Sequence, residues 1–164
     1  MIRLHIQRLV CALLVATAFA GCSSPKHASD LVDVQSMIPG IVLDIRYATT
    51  NNFTGQQLYP FSKCYLRRTT AEKLRAVQVE LGTMGYGIKI HDGYRPLSVQ
   101  WKMWAVYPHT GYVADPRKGS RHNRGAAVDV TLVDAAGVPL VMPTDYDDFS
   151  PHAHRDAPDW SPEA

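Results

Sequence analysis

The order of segments in this 164-residue chain predicts an α+β fold: one domain, an antiparallel sheet with helices packed on it. Three observations point there. A strand-like run at 41–47 comes first, two helical patterns flank an alternating strand in the middle, and a strand–turn–strand closes the regular part. Strands and helices do not alternate in the βαβ manner that builds a parallel sheet.

The first 22 residues stand apart from that domain. Arg3 and Arg8 form a basic stretch, and residues 9–20 are an apolar run too short to span a bilayer. Ala20-Gly21-Cys22 closes it with small residues before a cysteine, a pattern similar to a bacterial lipobox with Phe19 where leucine is usual. The expected organisation is a lipoprotein signal peptide over 1–21, a lipid-anchored polar tether over 22–37 beginning at a lipidated Cys22, and a domain over 38–164. The expected location is outside the cytoplasm, anchored in a membrane and facing the periplasm or cell exterior.

About 140 residues remain after the signal, enough for one domain with a core of its own. The whole chain carries 17 basic and 15 acidic residues, and removing Arg3 and Arg8 leaves 15 of each. A chain this close to neutral has no broad electrostatic reason to bind nucleic acid. Of three cysteines, Cys11 lies in the signal and Cys22 takes lipid, so Cys64 stays without an intrachain disulfide partner. With no activating base beside it in sequence, Cys64 reads as a small buried hydrophobe.

The elements follow in order. Residues 41–47 are rich in β-branched side chains and partly alternate, and Asn51, Asn52 and Gly55 then mark a loop. Thr69 stands three residues before Glu72, a capping-box spacing, and Leu74, Val77, Leu81 and Met84 follow at helical intervals until Gly85 stops the helix. Residues 86–91 alternate as a strand that runs into Asp92. Residues 97–107 read as a second helix, with Val99, Met103 and Val106 along one side and Trp101 and Trp104 nearby. Residues 126–133 form a strand, and residues 134–137 turn the chain back into 138–142 as a hairpin.

The segment that carries chemistry is 120–130. His122 stands in a glycine-bounded turn, and seven positions later Asp129 appears inside an apolar strand, where a carboxylate is disfavoured unless a cation compensates its burial. Imidazole nitrogen and carboxylate oxygen are both zinc ligands, and Gly125 and Ala126 leave room for a close backbone approach to an ion. Spacing alone leaves a second reading open, a surface histidine beside an aspartate paired with Arg121 or Arg124. For Arg95, in Asp92-Gly93-Tyr94-Arg95-Pro96, the bland alternative is a salt bridge with Asp92.

The whole string is more specific than its spacing. Ser120-x-His122-x-x-Gly125-x-Ala127-x-Asp129 resembles the zinc signature of the D-alanyl-D-alanine dipeptidase family and of related peptidoglycan carboxypeptidases. Residues 92–96 resemble that family's segment with a transition-state arginine. Residues 38–55, and 144–150 followed by His152 and His154, resemble further parts of the dipeptidase branch. The resemblance implies zinc as cofactor, His122 and Asp129 as ligands, Arg95 as oxyanion stabiliser and Ser120 as a substrate contact. It implies hydrolysis of D-alanyl-D-alanine in cell-wall metabolism, with that dipeptide or a peptidoglycan stem peptide as partner. The alternatives are a D,D- or L,D-carboxypeptidase and a non-catalytic cell-wall-binding lipoprotein.

One part of the family's pattern is not found. The family carries a Glu-x-x-His pair near its C-terminus, supplying the general base and the third protein ligand. Here the only glutamate after Glu80 is Glu163 and the last histidine is His154, so neither group is found and the C-terminal part of the fold is expected to be missing. His152 or His154 as ligand, and Asp147, Asp148 or Glu163 as base, are the substitutes the sequence offers. Taken by themselves, Asp147 and Asp148 read as a solvated turn and the two histidines as loop residues.

Overall fold

The alternating run at 86–91 becomes the central strand. In the computed structural model, which describes residues 30–157, it extends by one residue to β4 (Tyr86–Asp92). Its neighbours are β2 (Val42–Leu43), parallel to it with Leu43 opposite Ile90, and β5 (Asp129–Asp134), antiparallel with Ile88 opposite Leu132. A separate antiparallel pair joins β1 (Leu31–Asp33) to β3 (Tyr65–Arg67). The α+β class stands, but the main sheet is mixed rather than antiparallel. The segment between β2 and β4 holds a full helix, and such a connection is long enough to carry the chain back in a parallel sense.

The strand expected at 41–47 keeps only two residues in register. Asp44 still donates its backbone N–H to Ile90 O at 2.9 Å, after which a 3₁₀ turn at Arg46–Ala48 folds Ile45 and Tyr47 into the core. The return arm at 138–142 shrinks to one bridge between Val133 and Pro139, and Leu140 N donates to Leu132 O. Pro139 has no N–H to continue a ladder.

The domain also begins earlier than residue 38. β1 and the short α1 (Val34–Met37) belong to it, so the part of the expected tether from Leu31 onward is folded. Val34 is fully buried and donates its N–H to Cys64 O, while Asp33 caps α1 by accepting from Gln35 N at 3.0 Å. The expected signal peptide and the lipidated Cys22 lie outside the described residues.

Helix α2 (Arg68–Thr83) starts one residue before Thr69 and has no side-chain cap, so the Thr69–Glu72 spacing does not form a capping box. Ala71 and Leu74 are buried, whereas Val77 and Met84 stay exposed. Gly85 adopts φ +81° directly after the helix and ends it, as the sequence implies. Gln78 reaches from α2 to accept from Ile88 N at 2.8 Å and so ties the helix to β4. Helix α3 (Leu97–Val106) buries Val99, Gln100 and Met103 and leaves Trp101 and Val106 exposed. No helix among the described residues is long and apolar enough to cross a membrane.

Cys64 lies in the core, 2% exposed, and burial first, then the charges of Asp92 and Asp33, push its thiol up to about 12. A Cβ on Gly93 would come within 2.5 Å of its sulfur, so only glycine fits where the chain leaves β4.

Candidate metal centre

The site is built where β4 ends. The ladder between β4 and β5 is regular up to Ile90–Val130 and then skips a residue, so that Asp92 rather than His91 pairs with Asp129. This bulge brings two acids to the same end of the sheet, and bulges commonly re-aim side chains in this way.

Asp92 is fully buried and both of its oxygens are spoken for. Oδ1 accepts from Tyr59 OH at 2.8 Å and from Gly93 N at 2.9 Å; Oδ2 accepts from Arg95 Nε at 2.9 Å and Nη2 at 2.6 Å. Arg95 is itself buried, and its Nη1 donates to Gln100 Oε1 at 3.0 Å while the guanidinium lies 5.3 Å from the centre of the Tyr47 ring. Burial works against the Arg95 charge, but Asp92 outweighs it and the guanidinium pKa is raised. The salt bridge that the sequence offered as an alternative role for Arg95 is therefore present. It also aims the guanidinium, whose Nη2 lies 3.9 Å from Asp129 Oδ2 and which lines a cleft of about 150 Å³.

A 3₁₀ turn at His122–Arg124 presents the histidine to the same cleft. Ser120 Oγ accepts from His122 N at 3.2 Å, Asn123 Nδ2 donates to Arg95 O at 2.9 Å, and Arg95 N donates to His122 O. Ser120 thus caps the turn from the cleft wall. Gly125 ends it with φ +63°, and a Cβ there would meet Leu31 Cδ2 at 2.7 Å and Arg67 N at 3.0 Å. The glycine is required by the β1–β3 pair behind it, not by approach to an ion.

His122 Nδ1 lies 2.9 Å from Gly93 O, an acceptor, so Nδ1 carries the hydrogen and Nε2 presents its lone pair to the cleft. Nε2 is 3.4 Å from Asp129 Oδ1. Zinc bonds of about 2.0–2.2 Å at tetrahedral angles put neighbouring ligand atoms roughly 3.3–3.5 Å apart. The His122–Asp129 pair therefore fits one edge of a zinc tetrahedron. Without an ion the two groups hold each other. Burial opposes the His122 cation, yet the hydrogen bond and charge of Asp129 raise its pKa; burial likewise opposes the Asp129 anion, yet His122 and Arg95 lower its pKa.

Asp92, His122 and Asp129 form the described group whose possible ligand atoms all lie within 4.8 Å of one another. Asp92 stands on the Nδ1 side of His122, at 3.6 Å, with its oxygens saturated; it supports the centre rather than completing it. His152 and His154 are outside this group, and His154 Nε2 instead lies 2.9 Å from Tyr112 OH in an exposed aromatic cluster.

The adjacent acids at 147 and 148 separate. Asp148 is a turn residue that accepts from Ser150 N, as the sequence suggests. Asp147 instead lines the cleft, adopts φ +62° and accepts from Tyr47 OH at 2.9 Å, and burial pushes its carboxyl up to about 6. Tyr47, Tyr59, Gln100 and Tyr146 are the site residues that the sequence did not single out; of the substitute bases it offers among the described residues, Asp147 lines the cleft and Asp148 does not. One signal was available for Gln100, a polar residue on the buried side of α3 beside Val99 and Met103.

A family model described as D-ala-D-ala dipeptidase matches residues 27–164. Proteins named D-alanyl-D-alanine dipeptidase are similar over most of the chain. The protein of Escherichia coli K12 is 32% identical over 137 residues, 83% of this chain and 70% of the relative. That of Enterococcus faecalis is 30% identical over 76% of this chain and 72% of its own length, and that of Streptomyces coelicolor 29% over 79% and 75%. A family match over most of the chain, with relatives at 30% identity or more covered beyond two thirds of their length, places the chain in the D-Ala-D-Ala dipeptidase family, a family of peptidases.

Proposed function

We propose that this chain is an exported zinc peptidase acting on the dipeptide D-alanyl-D-alanine, whose amide bond is split by water to give two molecules of D-alanine. The observation that carries the reading is the His122–Asp129 edge, set beside the Arg95 guanidinium in one small cleft. The names of the relatives supply the substrate. At about 150 Å³ the cleft is below the ~300–1,000 Å³ usual for drug-sized ligands, which favours a dipeptide over a longer peptidoglycan stem.

Zinc held by His122 and Asp129 would supply Lewis acidity at the peptide carbonyl and acidify water near neutral pH. Arg95, fixed by Asp92 and Gln100, faces negative charge developing on the carbonyl oxygen, a contribution of about 3 kcal/mol for a pre-aimed donor. Ser120, on the cleft wall, is placed to meet the substrate backbone. Asp147 supplies the negative charge that the dipeptide's ammonium needs, since a carboxyl titrating at about 6 is ionised at neutral pH. Cell-wall metabolism and a lipid anchor at Cys22 complete the proposal.

One observation favours a second reading, a non-catalytic cell-wall-binding lipoprotein. The described carboxylates that line the cleft are Asp129 and Asp147, with no glutamate among them. If Asp147 takes the ammonium, neither is left to accept a proton.

The deciding experiment measures D-alanine release from D-alanyl-D-alanine and from a stem pentapeptide by the full mature chain with zinc. Metal content is read in parallel for wild type, His122→Ala and Asp129→Ala. Release from the dipeptide that His122→Ala abolishes supports the peptidase. Release from the pentapeptide alone sinks the dipeptidase reading, and zinc unchanged in both variants sinks the ligand assignment. Zinc bound with no release supports the non-catalytic reading. N-terminal mass spectrometry reports lipid on Cys22 independently.

A further inference from the structure

Tyr146 and Asp147 are consecutive, yet both side chains converge on the Tyr47 hydroxyl, Asp147 from the cleft and Tyr146 from the His91 side. In an extended chain neighbours point to opposite sides; here the left-handed backbone of Asp147 (φ +62°) removes that alternation. Asp147 accepts from Tyr47 OH, while the Tyr146 hydroxyl donates to Asp129 Oδ2 at 3.0 Å. Tyr146 OH is also 3.4 Å from Tyr47 OH, but its single hydrogen serves the shorter, charge-assisted contact.

The ring that carries this hydroxyl is clamped. One face stacks on His91 with centroids 4.7 Å apart and planes 28° from parallel, and Tyr47 meets it at 6.2 Å and 65°. His91 is 5% exposed, and its Nδ1 lies 3.3 Å from Asp44 O, so the platform under Tyr146 is itself held by the segment that follows β2. The two oxygens of Asp129 consequently have different surroundings. Oδ1 faces His122 Nε2 at 3.4 Å, and Oδ2 is engaged by Tyr146, with Arg95 Nη2 beyond hydrogen-bond range at 3.9 Å.

We propose that Tyr146 is the positioning residue of the metal centre: its hydroxyl engages Oδ2 of Asp129 and leaves Oδ1 as the single oxygen facing the ion. The inference rests on the zinc reading of His122 and Asp129 and adds the residue that sets how Asp129 binds. A carboxylate held at one oxygen is a fixed ligand, whereas a free one rotates and offers either oxygen or both. Partners of this kind, one bond removed from the ion, are worth about 10–100-fold in metal affinity.

The test uses the full mature chain, Tyr146→Phe, and competition against a chromophoric chelator for the zinc dissociation constant. Phenylalanine keeps the ring on His91 and removes only the hydroxyl. The expected result is a zinc dissociation constant raised about 10–100-fold, together with an altered visible spectrum of the cobalt(II)-substituted protein as Asp129 changes its mode of binding. Tyr47→Phe, which removes the hydroxyl serving Asp147 and keeps the Tyr146 bond to Asp129, should weaken zinc less than Tyr146→Phe does. His91→Ala removes the platform but keeps the Tyr146 hydroxyl, and should weaken zinc less than Tyr146→Phe does. Thermal melts in chelator show that each variant is folded.

Zinc affinity within about twofold of wild type and an unchanged cobalt spectrum in Tyr146→Phe would overturn the proposal. So would a larger loss in His91→Ala, which would make ring packing, not the hydroxyl, the cause. A wild-type chain that binds no zinc would overturn the metal reading itself, and this inference with it.

Discussion

Replacing Asp92 by asparagine keeps nearly the whole shape of the side chain and removes one charge. The amide oxygen can still accept from Tyr59 OH and Gly93 N at the Oδ1 position. The amide nitrogen then faces Arg95 Nε and Nη2, two donors that currently sit 2.9 and 2.6 Å from an acceptor. Two charge-assisted hydrogen bonds are lost, each worth about 1.5–3 kcal/mol. The guanidinium, 8% exposed, keeps neutral Gln100, the face of the Tyr47 ring and the distant Asp129. Breaking a buried pair by removing one partner costs about 3–5 kcal/mol, in line with the sum of the two bonds. Against a total stability of about 5–15 kcal/mol, that is a third or more in most of the range. Urea unfolding in the presence of chelator, followed by tryptophan fluorescence, measures it as a lower midpoint at unchanged slope. A loss below about 1 kcal/mol would refute the claim that Asp92 neutralises Arg95, because that pairing sets the whole magnitude.

Other outcomes follow from single sites. Gly125→Ala imposes a left-handed alanine and a contact with the Arg67 backbone, so it should cost about 2–4 kcal/mol in the same urea assay. Asp147 titrates at about 6 in the folded chain and near 4 unfolded, so the native state binds the extra proton between those values. Its contribution to stability is therefore full below about pH 4 and is lost as pH rises through about 6. Asp147→Asn, which keeps an acceptor for Tyr47, should flatten the wild-type decline over that window and gain about 1–2 kcal/mol at pH 7, the shift being discounted for its partial exposure. Cys64, with its thiol pushed up to about 12, should resist alkylation at pH 8 until the chain unfolds, as peptide mapping would show; labelling at the native rate of a free thiol would contradict its burial.

His122, Asp129 and Arg95 were visible in sequence because the strings that hold them resemble the family's motifs; spacing alone left each open to an ordinary ion-pair role. The helices and β4 were legible from periodicity, and the wrong details have local causes. β2 is short because Asp44 leads into a 3₁₀ turn, and the hairpin's return arm stops at a proline. The parallel sense of β2 was not readable, since strand direction depends on where the long connection closes and not on any residue within the strand. Asp147 and Asp148 look alike in sequence; only the left-handed backbone at Asp147 sends one inward. Tyr59 and Tyr146 lie 33 and 17 residues from the acids they serve, a distance no local pattern reports.

The pairing of β4 with β5 has one more implication. Asp92 and Asp129 stand at the two ends of a single connection, and Arg95, α3 and the His122 turn all lie inside it. The tip of that connection, residues 108–112, is exposed. A protease cut there would divide the centre into two half-sites on separate polypeptides, Asp92 and Arg95 on one and His122 and Asp129 on the other. The strand ladder would still hold the halves together, as would the bonds from Arg95 to His122 O and Asn123. The same geometry that makes the centre compact thus makes it a clasp, able to join two fragments of a nicked chain.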